Sequence, residues 1–217
     1  MLLWLVICVV SGVAVVSTWY LWVLRANRRK ADDVLQWINL ALRVEGHVTG
    51  LRWVTASRFV VPLRLRSPIF RQASVVVELV RRELPLYWIS ERMQGKQDAL
   101  TFRADLDAAP NFNFKVLNHR WCAGTHRRMP KDPASWDFDR TEPLVFATRK
   151  WQREVSTLVN ALLGSHHQDL LALSFRRRSP HFSATVPLES VMPGVSSEPG
   201  VFTLLREIAA EVSAQSR

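Results

Sequence analysis

The sequence predicts an α+β fold: one N-terminal transmembrane helix followed by a mainly antiparallel sheet with about three amphipathic helices. Three features support this prediction. The chain begins with a long uncharged apolar run, it then contains several short segments of alternating apolar and polar residues, and it has stretches with apolar residues at helical spacing. The strand-like and helix-like segments are grouped along the chain and do not strictly alternate, which favours α+β over a doubly wound parallel sheet.

The apolar run covers residues 2–24, reads LLWLVICVVSGVAVVSTWYLWVL and contains no charged residue. As a helix it measures about 34 Å, enough to cross a hydrocarbon layer about 30 Å thick. Aromatic residues lie near both of its ends, as in interfacial belts: Trp4 at one end, and Trp19, Tyr20 and Trp22 at the other. We therefore assign residues 1–24 to a transmembrane anchor.

A cleaved signal peptide is the competing interpretation of this run. Such a peptide carries positive charge before an apolar stretch of roughly 7–15 residues and small residues at its cleavage site. Here the run is longer, no Lys or Arg precedes it, and the basic residues follow it: Arg25, Arg28, Arg29 and Lys30. The pattern favours an uncleaved anchor.

This basic juxtamembrane segment, residues 25–30, predicts both topology and lipid contact. Lys and Arg remain on the cytoplasmic side, so we expect a single-pass protein of the inner (cytoplasmic) membrane with its N-terminus outside and its domain in the cytoplasm. Cys8 and Cys122 are too far apart along the chain to suggest a disulfide, and free thiols fit a reducing compartment. The four basic side chains are expected to contact anionic headgroups.

Composition limits the choice of partners. The 217-residue chain has a net charge of +10, but beyond the juxtamembrane segment 25 basic residues face 19 acidic ones. This excess of positive charge is smaller than in a dedicated nucleic-acid-binding protein. We therefore expect membrane lipids and a protein as binding partners, and we do not expect nucleic acid. Ser11, Gly12 and Ala14 would allow two anchors to approach closely, which is compatible with a homo-oligomer.

The domain is predicted to cover residues 31–189, followed by a linker at 190–199 and a C-terminal helix within 200–217. It should begin with a helix over 31–45, in which Val34 and Ile38 lie on one apolar face. Period-two alternation predicts strands at 57–66, 73–80, 100–106 and 112–116, and their hairpin-like spacing favours a meander. Pro62 in the first of these indicates an edge strand or a bulge. Further along we expect a surface loop at 122–142, a strand at 144–147, a helix at 149–163, and a hairpin of 170–175 with 182–188.

Reactive side chains are densest around His119, Cys122 and His126. They would offer three metal ligands where a structural zinc site needs four, or a thiol nucleophile with nearby bases. A strand end with a basic loop explains the same residues, and no phosphate-binding loop or G-x-S-x-G elbow is present. We therefore predict no metal, no cofactor and no catalytic residue, and an enzyme of another type centred on these three residues is the alternative.

A second basic run lies between the last two predicted strands and consists of Arg176, Arg177 and Arg178. It is interpreted as a solvated hairpin tip, with membrane or other polyanion contact as the functional alternative. Taken together, the sequence favours a membrane-anchored, non-enzymatic module that binds a protein or lipid headgroups.

Overall fold

The first helix of the computed structural model, α1, runs unbroken over 40 residues, Leu2–Ala41. The structure describes residues 1–118, 137–141, 144–148, 171–192, 202 and 205–210. The apolar run and the predicted helix over 31–45 are therefore one helix, which ends at Ala41 and not at Glu45. Residues 42–45 form a turn, and Gly46 begins a strand. The helix continues without interruption through Asn27, which is buried.

Ten strands form one sheet in which every described pair is antiparallel. They are β1 (Gly46–Val48), β2 (Arg52–Thr55), β3 (Arg58–Leu65), β4 (Phe70–Glu78), β5 (Ala99–Leu106), β6 (Phe114–Asn118), β7 (Asp137–Thr141), β8 (Leu144–Thr148), β9 (Ala172–Phe175) and β10 (Phe182–Pro187). Their order is β1-β3-β4-β5-β10-β9-β6-β8-β7, with β2 also paired to β3. The described part also contains two short helices, α2 (Pro85–Met93) and α3 (Leu188–Val191), and helical residues at 205–210. The predicted α+β class is confirmed.

Period-two alternation located β3 because the residues on one side of this strand are buried and those on the other side are more exposed. In β3, Phe59, Val61 and Leu63 are buried while Pro62 and Arg64 are exposed. β3 is nevertheless not an edge strand. β1 and β2 pair with its two halves and leave a gap opposite Pro62, whose carbonyl accepts the Thr49 amide at 3.0 Å. The interruption in the neighbouring strand accommodates a residue that has no amide hydrogen to donate.

The predicted meander is correct for β3, β4 and β5 and wrong beyond them. β10 inserts beside β5, and β6 pairs with β9 and β8. The predicted hairpin of the last two strands is confirmed as β9 and β10, and the strand at 144–147 is confirmed as β8. The expected loop at 122–142 contains β7, and the connection before β5 contains α2, neither of which was predicted.

The core lies between the second half of α1 and one face of the sheet. Ala31, Val34 and Ile38 are buried there together with aromatic side chains of the strands. Phe102 on β5 is central in this core because its ring contacts three other Phe rings. The distances between ring centroids are 5.6 Å to Phe70 of β4, 5.9 Å to Phe182 of β10 and 5.9 Å to Phe202 of the C-terminal segment. Residues 205–210 are helical, within the predicted C-terminal helix. The predicted helix at 149–163 and residues 193–199 of the predicted linker lie outside the described residues. Ser190 and Val191 were assigned to that linker but belong to α3.

Candidate functional site

The apolar half of α1 is the most conspicuous functional feature of the described chain. α1 is long and apolar enough to cross a membrane, and none of its most apolar stretch is buried. Along the other half, every third or fourth residue is buried from Val23 onward. One helix therefore has an apolar end without protein cover and a far end built into the core.

The chemical cluster singled out in the sequence, His119, Cys122 and His126, lies outside the described residues. The two other histidines of this part of the chain, His166 and His167, lie outside them as well. Within the part of the chain that the structure describes, no group of three or more His, Cys, Asp or Glu side chains could hold a metal ion. The enzymatic alternative therefore stays a prediction.

The juxtamembrane cations divide into two groups. Arg25, Arg28 and Arg29 have exposed side chains at the end of the apolar run. Lys30 instead pairs with the carboxylate of Asp98, which is only 3% exposed. The positive-charge pattern identified all four residues, but it could not distinguish a cation that faces solvent from one that faces the domain.

Asp98 joins three parts of the fold at the base of the domain. Its Oδ2 contacts Lys30 of α1 and lies 3.6 Å from the guanidinium of Arg82. Its Oδ1 accepts a hydrogen bond from the Val80 amide at 2.6 Å, and its backbone carbonyl accepts one from the Leu188 amide of α3 at 2.8 Å. The residue thus connects α1 to the segment that leads into α2.

α2 contacts α1 within the apolar run itself. The indole Nε1 of Trp19 donates a hydrogen bond to the Arg82 carbonyl at 2.9 Å, and the Trp19 and Trp88 rings lie 6.2 Å apart. The buried carboxylate of Glu91 accepts from the Arg81 amide at 3.0 Å and pairs with Lys96 at 2.7 Å, which ties α2 to its flanking segments. α2 is therefore fixed beside the part of α1 predicted to lie in lipid.

β2 approaches α1 from another side. The side-chain amide of Asn27 donates to the Ala56 carbonyl at 2.9 Å, at the turn that joins β2 to β3. A groove of about 380 Å³ lies between the two elements, and its lining includes Leu24, Arg28, Trp53 and Val54. Trp19 and Arg28 are nine residues apart, which places them on about opposite sides of the helix. α2 and β2 thus flank α1 where the apolar run ends.

The basic run between β9 and β10 lies at the other end of the sheet. In the loop that contains this run, the hydroxyl of Ser179 donates a hydrogen bond to the Asp105 carboxylate at 3.0 Å. Asp105 follows Asp98 by seven residues, so the two residues are about 23 Å apart along β5. Arg177 donates to the Asn111 carbonyl, with Nε at 2.7 Å. Arg176, Arg177 and Arg178 have exposed side chains and are not brought together with the juxtamembrane arginines.

Sequence reasoning missed the residues that join the anchor to the domain: Trp19 as a hydrogen-bond donor, Asp98 as a buried acceptor, and α2. The signals for α2 were present, since Pro85 stands at the helix start and Gly95 adopts φ +65° after its end. The pairing of Lys30 with Asp98 spans 68 residues and leaves no local pattern.

No protein-family model matches the chain, and no curated protein matches its sequence. Any function must therefore be argued from the residues and their arrangement.

Proposed function

We propose that this chain is a single-pass membrane protein whose basic α+β domain is an interaction module for anionic lipid headgroups at the cytoplasmic surface. The observation that carries the proposal is the division of α1 into an uncovered apolar half and a half buried in the core. An anchor that continues as a core helix holds its domain at a fixed distance from the bilayer, unlike an anchor that ends in a loose linker.

Two other interpretations of an apolar N-terminal helix fit these observations less well. The apolar residues of a core helix are buried, whereas no residue of the most apolar stretch of α1 is buried. A signal sequence is removed, whereas Trp19 within the run makes a hydrogen bond and a ring contact to the domain. Cleavage after the run would remove both contacts, so they support a retained helix.

Charge supports the orientation and the ligand class. The cytoplasmic leaflet is anionic, and each Lys or Arg close to its surface contributes about 1 kcal/mol of binding free energy. The exposed Arg25, Arg28 and Arg29 are placed to do this at the end of the apolar run. Lys30 is engaged by Asp98, so the proposal assigns headgroup contact to the three arginines.

The experiment measures how strongly the full chain enriches anionic over zwitterionic phospholipid around itself in nanodiscs that contain both. We expect a difference in binding free energy of about 3 kcal/mol in favour of the anionic lipid, the sum for three juxtamembrane cations. Replacing Arg25, Arg28 and Arg29 with Gln should remove that difference. The matched control replaces the exposed Arg43, Arg64 and Arg66, which removes the same charge elsewhere and should leave the difference in place.

If both triple variants lost the difference between the lipids equally, it would depend only on the net charge of the protein and not on the juxtamembrane arginines. If the native protein showed no such difference, the headgroup proposal would be contradicted. In that second case, chemical cross-linking of the membrane-embedded chain would be expected to capture a protein partner. Release of the chain from membranes by alkaline washing would contradict the anchor itself.

A further inference from the structure

The exposed apolar side chains of the domain are not scattered. Apart from Met1 and those in the apolar run of α1, nine large hydrophobic side chains are exposed in the described residues, and seven of them lie in two short segments that flank α1. One segment is α2 with the residue before it: Leu84, Tyr87, Ile89 and Met93. The other is β2 with the residue before it: Leu51, Trp53 and Val54. We call these seven residues the collar.

The position of the collar along α1 follows from helix geometry. Trp19, which contacts α2, is about 26 Å along the helix axis from Leu2, and Leu24, which lines the groove beside β2, is about 33 Å away. A hydrocarbon layer about 30 Å thick that begins at Leu2 ends between these two residues. α2 therefore contacts α1, and the groove between α1 and β2 lies, at the level where hydrocarbon gives way to headgroups.

The charged residues around the collar also fit a position at the boundary between hydrocarbon and headgroups. Arg81 precedes α2 and Arg92 lies in its last turn, both with exposed side chains, and Arg52 lies in β2. Arg92 also lies over the ring of Trp88, 5.8 Å from its centroid. Apolar and aromatic side chains bordered by arginines are typical of segments that lie in the membrane interface, where the apolar side enters the acyl boundary and the cations meet phosphate.

We propose that the collar is a membrane-inserted surface: α2 and the β2 segment are embedded in the interfacial layer of the cytoplasmic leaflet, on either side of α1. The ligand is the bilayer itself, with acyl chains on the apolar residues and lipid phosphates on the neighbouring arginines. This inference rests on the proposed anchoring of α1, and it adds that the domain lies on the membrane instead of standing clear of it.

The test uses the full chain in nanodiscs with single cysteines carrying an environment-sensitive fluorophore. Lipids brominated near the carbonyl end of the acyl chain then quench any label at the interface. In a background without Cys8 and Cys122, Met93→Cys and Val54→Cys report on the two halves of the collar. Val44→Cys and Arg178→Cys are the controls. Val44 is exposed and apolar like the collar residues, but it lies in the turn after Ala41, and Ala41 is about 26 Å along the helix axis from Leu24. Arg178 is in the loop between β9 and β10.

We expect labels at 93 and 54 to be quenched and labels at 44 and 178 to keep the intensity that they have in unbrominated lipid. Retaining Cys8 as the label, with only Cys122 replaced, reports on the anchor. Quenching at Cys8 without quenching at 93 and 54 would overturn the collar proposal while leaving the anchor intact. Quenching at neither Cys8 nor the collar would overturn both, and equal quenching at all four domain positions would show a domain that lies on the membrane without using the collar.

Glutamate substitutions give a second readout. Ile89→Glu with Met93→Glu should abolish quenching of a label at 54 or shift it toward the control level, because carboxylates are repelled by anionic phosphate and resist leaving water. Leu40→Glu with Val44→Glu changes two exposed apolar residues outside the collar and should leave that quenching unchanged. Equal effects of the two pairs would contradict a specific role for α2.

Discussion

Replacing Asp98 with Ala tests whether the base of the domain is joined to α1 as the structure indicates. The Asp98 carboxylate is 3% exposed, whereas its partners Lys30 and Arg82 are 29% and 35% exposed. A hydrogen bond to a charged acceptor, here the Val80 amide at 2.6 Å, contributes about 1.5–3 kcal/mol, and partly exposed ion pairs add about 0–1 kcal/mol each. We therefore expect a loss of about 3 kcal/mol in the free energy of unfolding.

For a chain of this size that loss lowers the midpoint of thermal unfolding by about 6–12 °C. The assay is thermal unfolding of the full chain in nanodiscs, followed by circular dichroism. Asp98→Asn keeps an acceptor for the Val80 amide and loses the charge. Its midpoint of thermal unfolding should therefore lie between those of the native protein and Asp98→Ala. Asp107→Ala is the matched control, because Asp107 pairs with Arg71 at 3.0 Å on the surface and both side chains are exposed. A midpoint for Asp98→Ala equal to that of Asp107→Ala would refute the reasoning.

Three further predictions use the same unfolding assay. Gly46→Ala should lower the free energy of unfolding by about 1–3 kcal/mol, because a Cβ at this position would lie 2.4 Å from the Arg64 carbonyl oxygen. A Cβ at Gly50 would meet open space, so Gly50→Ala should leave the free energy of unfolding almost unchanged. Asn27→Ala should lower the free energy of unfolding by about 1–2 kcal/mol, because it leaves the Ala56 carbonyl without its hydrogen-bond donor. Asn39 is exposed in the same helix, so Asn39→Ala should not lower it, and equal losses in the two variants would contradict the role assigned to Asn27. Phe102→Ala should cost about 3–5 kcal/mol by removing the ring that three other Phe rings contact, and a loss under about 1 kcal/mol would contradict its central position.

The features that the sequence predicted are those with a repeating local pattern. Burial alternates along β3, and an uncovered apolar helix requires a long uncharged run, so each leaves a mark in the sequence within about ten to twenty residues. α2 left no such mark. It is nine residues long and its exposed apolar side chains, such as Tyr87 and Met93, do not form a stripe facing the core.

Long-range pairing explains the other differences. β10 lies beside β5 although Thr101 and Thr185, whose hydroxyls are 3.0 Å apart, are separated by 84 residues. A meander is the simplest arrangement for consecutive strands, and nothing within β5 or β6 indicates that a distant strand inserts beside β5. The ion pair of Lys30 with Asp98 is equally non-local, so charge patterning assigned Lys30 only to the membrane surface.

The most direct test of the central claim is the mass of the intact protein recovered from membranes after an alkaline wash. The proposed anchoring predicts that the chain stays in the washed membranes with the residues of its apolar run still attached. A shorter chain that lacks these residues, or recovery of the protein in the alkaline supernatant, would contradict it.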